Sequence, residues 1–359
     1  MNVNVTVNAQ GLAAALKNNL AQKRSTLNIL EHVLLIATES PAELRVISRD
    51  FSQEIEVVIA AERVEQAGSV TCHAEKLQAA VTGLAGPATL STTGSPDSEQ
   101  FKTVLQQGRR RFQILSMPAD IFPKGQEMGQ AKSPVLDPEE LAKAIATVQY
   151  AVAVHDARPA LLGVHLNEHD VVATDGHRAA CALIDADFRP ITIPRDSLKN
   201  LIAALMEEGA ELRYSDSAIE VVHACGRYRS QLLDVKYVDY KRVMRIPVSG
   251  VTATLDAAHI APALSRLRSF VPVGTQMLGC EINENLLSLT AGTESDTKDE
   301  AEAQCSGSWP KVHLNLSYLN DAMNAVKGEF TWLNTGTQNP QFLWTGNQEV
   351  VHVLMPIRM

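Results

Sequence analysis

The stretch Ile191-Thr192-Ile193-Pro194-Arg195-Asp196-Ser197-Leu198-Lys199-Asn200-Leu201-Ile202 decides how the chain reads. A short β-branched run meets polar residues, and a leucine then opens an apolar period of helical spacing. The same succession appears at Val5-Thr6-Val7 with Leu12, at Val70-Thr71-Cys72 with Leu77, and at Val135-Leu136-Asp137 with Leu141. It returns at Ala253-Thr254-Leu255 with Ile260 and at Val312-His313-Leu314 with Leu319. Steps of about sixty residues between the key apolar positions mark a structural repeat. Alternating segments after the helices, such as Glu43-Leu44-Arg45-Val46-Ile47 and Ala218-Ile219-Glu220-Val221-Val222, predict strands. The unit is a strand, a helix of about three turns and further antiparallel strands, which places the chain in the α+β class. Pro138 and Pro262 fall near two helix starts, where the missing N–H has no intrahelical partner to lose.

Six units pair into three similar domains, predicted at 1–126, 132–247 and 250–359, with polar, glycine-containing stretches at 124–130 and 246–250 between them. The 359 residues, 45 % of them apolar, suffice for that many cores. Cys72, Cys181, Cys225, Cys280 and Cys305 form no Cys-x-x-Cys pair, which argues against a zinc knuckle and for a reducing compartment. The start, Met1-Asn2-Val3-Asn4, lacks the features of a signal peptide, and no apolar run approaches membrane-spanning length. A cytoplasmic protein without a membrane partner is expected.

A net charge of −9 excludes nucleic-acid binding through the whole surface, yet the predicted helices are rich in cations. Lys17, Lys76, Lys143, Arg195 with Lys199, Arg266 with Arg268, and Lys327 lie in or beside the six. Repeats curving into a ring or arc would gather these helices on one basic surface, able to hold a phosphate backbone without reading bases.

A second feature is Val171-Val172-Ala173-Thr174-Asp175-Gly176-His177-Arg178-Ala179-Ala180, in which Asp-Gly predicts a tight hairpin turn. Phosphate-loop, nucleophile-elbow and His-Glu-x-x-His motifs are absent from the sequence, and Asn167-Glu168-His169-Asp170 reads as a turn with a lone His-Asp pair. Asp175 and His177 are of metal-ligating type but lack an evident third ligand, so a metal-dependent hydrolase is the minor reading.

With Arg158 and Leu162-Gly163, Ala173 to Arg178, Ile193-Pro194-Arg195, Tyr237-Val238-Asp239-Tyr240-Lys241-Arg242-Val243, Asn315-Leu316-Ser317-Tyr318-Leu319 and Val353-Leu354-Met355-Pro356-Ile357-Arg358-Met359, the chain resembles the bacterial sliding clamp, the DNA polymerase III β subunit family. The resemblance extends over essentially the full length. It implies a non-catalytic head-to-tail homodimer, closed as a ring around duplex DNA, with helices lining the hole and sheets outside. It implies no cofactor, and it implies a groove that recruits the polymerase III α subunit, the clamp-loader δ subunit and other proteins carrying a clamp-binding motif. Carried over residue by residue, the groove comprises Leu161, Thr174, Gly176, His177, Arg178, Ala179, Val238, Arg242, Val243 and Val353 through Met359. The DNA-facing set is Arg24, Lys76, Lys143, Arg195, Lys199, Arg266 and Lys327, and the dimer set is Phe112, Ile114 and Phe270.

Four departures stand out. Ala179 replaces the family's usual leucine, Val238 the usual proline, and Pro159-Ala160 a bulky pair beside Arg158. Glu75 takes the place of a cation. These changes predict an altered partner preference, and a divergent clamp-like ring with a changed partner set is the alternative reading.

Overall fold

The computed structural model describes residues 2–17, 19–21, 28–94, 101–125, 128–271, 274, 276–291, 297–305, 307, 309–346 and 348–358. Among them are seven α-helices: α1 (Ala9–Lys17), α2 (Ala74–Val81), α3 (Pro138–Val148), α4 (Arg195–Leu205), α5 (Lys241–Met244), α6 (Ala257–Leu267) and α7 (Leu316–Val326). All but α5 are the helices expected from the repeat. Leu12, Leu77, Leu141, Leu198, Ile260 and Leu319 are each at most 2 % exposed, because the helical period puts them on the core face. The polar residue between strand and helix often caps the helix. Asn8, Asp137, Asp256 and Asn315 accept the backbone N–H of Gln10, Glu139, Ala258 and Tyr318 at 2.8 to 3.2 Å.

Two expectations change. Val135-Leu136 forms no strand: Val135 is 95 % exposed, and Pro134 and Pro138 on either side remove the N–H groups a ladder needs. Pro262 is not in a first turn; it lies inside α6, at its sixth residue, with its ring on the exposed face. Leu264, Leu267 and Ile260 around it hold the helix through their burial.

The chain divides into two compact units, Met1–Ser133 with Ala203–Gln231, and Pro134–Ile202 with Leu232–Met359. In the first, an eleven-stranded sheet runs from Asn4–Asn8 to Glu211–Tyr214. Its longest strand, Gln53–Gln66, pairs along one edge with Ala42–Arg49; along the other its near half pairs with Gly226–Gln231 and its far half with Asn4–Asn8. The strand pairing therefore continues from residues of the first predicted domain into residues of the second. Arg227 bridges the two, its Nη2 lying 2.8 Å from Glu54 and 2.7 Å from Glu56.

The second unit holds a seven-stranded and a four-stranded sheet. In the larger, Arg178–Pro194 lies between Gly163–Thr174 and Val350–Leu354, so residues near the chain's end complete a sheet begun near its middle. The core beneath includes Trp332, edge-on to Trp309 at 5.5 Å, with its indole N–H donated to Gln341 at 3.2 Å. Cys72, Cys181, Cys225, Cys280 and Cys305 are all free thiols. Among the described residues no helix is long and apolar enough to cross a membrane.

Pro262 supplies no N–H to the α6 ladder and packs no core surface. Pro262→Ala should therefore raise stability by about 1–3 kcal/mol, read as a higher urea midpoint; an unchanged or lower midpoint would show that the helix is already adapted to it.

Candidate partner-binding site

The hairpin turn forms where Asp-Gly predicted it, between strands Gly163–Thr174 and Arg178–Pro194. Thr174 Oγ1 donates to the Arg178 carbonyl at 2.7 Å, and Asp175 Oδ1 accepts the N–H groups of His177 and Arg178 at 2.9 and 3.0 Å. Asp175 Oδ2 pairs with Arg178 Nε at 2.9 Å. Both carboxylate oxygens are thus engaged in shaping the turn. Gly176 has φ +88°, and a Cβ there would stand 3.0 Å from Arg158 Nη2. Gly176→Ala should cost about 1–3 kcal/mol locally, visible as faster hydrogen exchange at the His177 and Arg178 amides; parental rates there would contradict the strain.

Arg178 is pinned. Its Nη1 reaches Asp321 Oδ2 at 2.6 Å, and its guanidinium lies over the rings of Tyr150 at 5.2 Å and Tyr318 at 4.4 Å. Tyr150 OH bonds His352 Nδ1 at 2.9 Å, and His352 is fully buried, which lowers its pKa to about 4. His32 and His165 are likewise lowered to about 4, chiefly by burial. The unfolded chain protonates these rings near 6.5 and the folded chain only near 4, so the unfolded state binds more protons in that window. Stability should fall as pH drops from 6.5 to 4, by up to about 3 kcal/mol per ring. Calorimetric midpoints across that range should decline, less steeply for His352→Gln; identical slopes would remove His352 from the account.

The remaining residues expected to line a groove come from the segment around α5 and from the last strand. Arg242 and Val243 are exposed on α5, while Val238 is half-buried. Ala179 is 4 % exposed, in one apolar cluster with Leu333, Phe342, Val351 and Val353, against which Met244, Ile246 and Trp344 pack. Leu161, Val353 and Leu354 are each 1 % exposed, and Pro356 is buried. Met355 N–H donates to the His177 carbonyl at 2.9 Å and Ile357 N–H to that of His313 at 2.8 Å, which docks the terminus beside the turn. His177 and Arg358 are exposed, the His177 ring 6.3 Å from that of Tyr318, and Met359 lies outside the described residues. Tyr150, Asp321 and His352 had no signal in the sequence, since their partners are distant along the chain.

The cations of the helices are mostly at the surface. Lys76, Lys199 and Lys327 are exposed, the last as the left-handed C-cap of α7 with φ +49°. Lys143 pairs with Glu139 at 2.7 Å and Arg266 with Asp299 at 2.6 Å, while Arg195 donates to the Val152 carbonyl at 2.8 Å. A phosphate must compete with those carboxylates. Arg24 lies outside the described residues. Of the dimer set, Phe112 and Phe270 are 38 % and 61 % exposed, but Ile114 is 3 % exposed in the core, and Leu115 beside it is the accessible residue at 54 %. Asn167-Glu168-His169-Asp170 is no free turn but part of strand Gly163–Thr174, with Glu168 at φ +53°. Among the described residues no group of three His, Cys, Asp or Glu is placed to hold a metal.

Comparison with known proteins places this arrangement. The description "DNA polymerase III beta subunit, N-terminal domain" matches residues 3–126, and "DNA polymerase III beta subunit, central domain" matches 135–239. The β sliding clamp of Pseudomonas aeruginosa is 24 % identical over 356 residues, covering 95 % of both chains. That of Vibrio cholerae is 27 % identical over 355 residues, covering 94 % of both. Among solved structures, the P. aeruginosa sliding clamp bound to griselimycin matches with a TM-score of 0.88 at 23 % identity over the whole of both chains. The Caulobacter crescentus β sliding clamp matches with a TM-score of 0.90 at 24 % identity, covering 100 % of this chain and 99 % of that one. The two structural likenesses establish the fold. The two domain matches together span well over half the sequence, and on them the chain belongs to the DNA polymerase III β subunit family, the bacterial β sliding clamps.

Proposed function

We infer that this processivity clamp closes head to tail with a second copy around duplex DNA, in the cytoplasm, and recruits its partners through the groove between the turn, α5 and the chain terminus. The three domains are those read from the repeat, 1–126, 132–247 and 250–359. The role is non-catalytic: tethering turns each polymerase re-binding into a local event at high effective concentration. Exposed Lys76, Lys199 and Lys327 on an otherwise acidic chain favour sequence-independent contact with phosphates. Exposed Phe112, Leu115 and Phe270 offer apolar surface for the contact between copies.

The observation that carries the recruitment role is the docked terminus. Met355 N–H on the His177 carbonyl seats the segment after the last strand beside the turn, where His177 and Arg358 are exposed. An apolar trough flanked by such groups suits a short peptide with aliphatic and aromatic anchors, as supplied by the polymerase α subunit and the clamp-loader δ subunit. Ala179, in the apolar cluster against which Met244, Ile246 and Trp344 pack, favours a shifted motif preference in this chain.

Light scattering should return twice 39.0 kDa. Loaded on nicked circular DNA, the protein should stay bound in high salt and be lost on linearisation, since threading does not depend on phosphate contacts. A monomer, or release by salt alone with no effect of linearisation, would contradict the ring.

A further inference from the structure

The segment that presents Val238, Arg242 and Val243 has little of its own to hold it. α5 is four residues long, has no side-chain N-cap and packs inward only through half-buried Met244, against the clusters that hold Ala179 and Tyr240. A single helical turn does not persist in water unaided. Its polar anchor is the residue in front. Tyr240 is 7 % exposed, and its hydroxyl donates to Asp170 Oδ2 at 2.8 Å while accepting from Asn167 Nδ2 at 3.1 Å. The Tyr240 carbonyl takes the N–H groups of Val243 and Met244, both at 2.9 Å.

The ring is held as firmly as the hydroxyl. Tyr240 stands edge-on to His165 at 6.0 Å and to Tyr237 at 6.2 Å, and Tyr237 lies flat on His165 at 4.3 Å. His165 is itself bonded to Thr192 Oγ1 at 3.0 Å. Burial pushes the Tyr240 hydroxyl pKa up, so it keeps its proton and stays a donor. The ion pair of Lys241 with Glu168 at 2.6 Å sits in solvent and adds little.

We propose that Tyr240 and Asp170 are positioning residues for the partner-peptide groove: their hydroxyl–carboxylate bond sets where α5 presents Arg242 and Val243. Asp170 belongs to the strand Gly163–Thr174, which runs directly into the turn carrying His177. One strand therefore sets the spacing between two walls of the groove, the turn at its end and α5 through Asp170. A hydrogen bond between a buried hydroxyl and a carboxylate is directional, so losing it frees α5 to shift without unfolding the sheet.

The inference rests on the groove reading above. Its test is anisotropy of a fluorescein-labelled peptide with leucine and phenylalanine anchors, titrated with the full-length clamp. Tyr240→Phe should weaken binding about tenfold, and Asp170→Ala about as much. The double variant should bind no more weakly than either single variant, because both remove one interaction. Asp170→Asn, whose amide oxygen still accepts, should stay within about threefold of the parent. The dimer mass of all four by light scattering should remain parental, which loss of fold would not allow.

Binding by Tyr240→Phe within about twofold of the parent, additive losses in the double variant, or parallel loss of the dimer would each overturn the proposal. A parent that binds normally alongside an unchanged Tyr240→Phe leaves the groove standing and removes only the role of the tyrosine. A parent that fails to bind the peptide removes both.

Discussion

The ladder between Arg178–Pro194 and Val350–Leu354 is the constraint from which the rest of the site follows. Its register sets Arg178 opposite Leu354, Ala179 opposite Val353 and Ala180 opposite His352. On its other side the same strand pairs with Gly163–Thr174, with Thr174 opposite Ala179. A slip of one residue would turn Ala179 and Val353 away from their shared apolar cluster. With that register fixed, the terminus has one course, and Met355 arrives at the His177 carbonyl.

Around this ladder the polar residues divide by what their atoms are already doing. Asp175 and Arg178 are spent: one shapes the turn, the other is clamped by Asp175 and Asp321 and stacked between Tyr150 and Tyr318. His352 is buried and neutral, and its hydrogen bond to Tyr150 joins the last strand to the residues that follow α3. Exposed His177, Arg242 and Arg358 are the groups with reach. Ala179, 4 % exposed, belongs to the apolar cluster against which Met244, Ile246 and Trp344 pack.

What was legible in the sequence was local. Helical spacing of the apolar residues and a polar residue before each helix are short-range signals, and six helices formed with Leu12, Leu77, Leu141, Leu198, Ile260 and Leu319 inward. Asp-Gly gave the turn because positive φ is a one-residue property. Elsewhere the deciding contacts were distant. Phe112 and Ile114 share a strand face by alternation, and only the covering core separates the exposed one from the buried one. Asp321 has no local mark as the partner of Arg178, and a four-residue helix such as α5 is too short to show a period. Pro262 was misplaced because proline favours a first turn without requiring one, and burial of Ile260, Leu264 and Leu267 outweighs its cost.

The account's central claim is that the turn, α5 and the docked terminus form one peptide-binding surface. Hydrogen exchange of the full-length protein, with and without a saturating peptide bearing leucine and phenylalanine anchors, tests it most directly. Slowed exchange at Gly176 to Arg178, at Arg242 to Met244 and at Met355 to Arg358 together, with the Ile114 and Leu115 amides unchanged, is the predicted result. Peptide bound with protection elsewhere, or at one of the three segments alone, would contradict it.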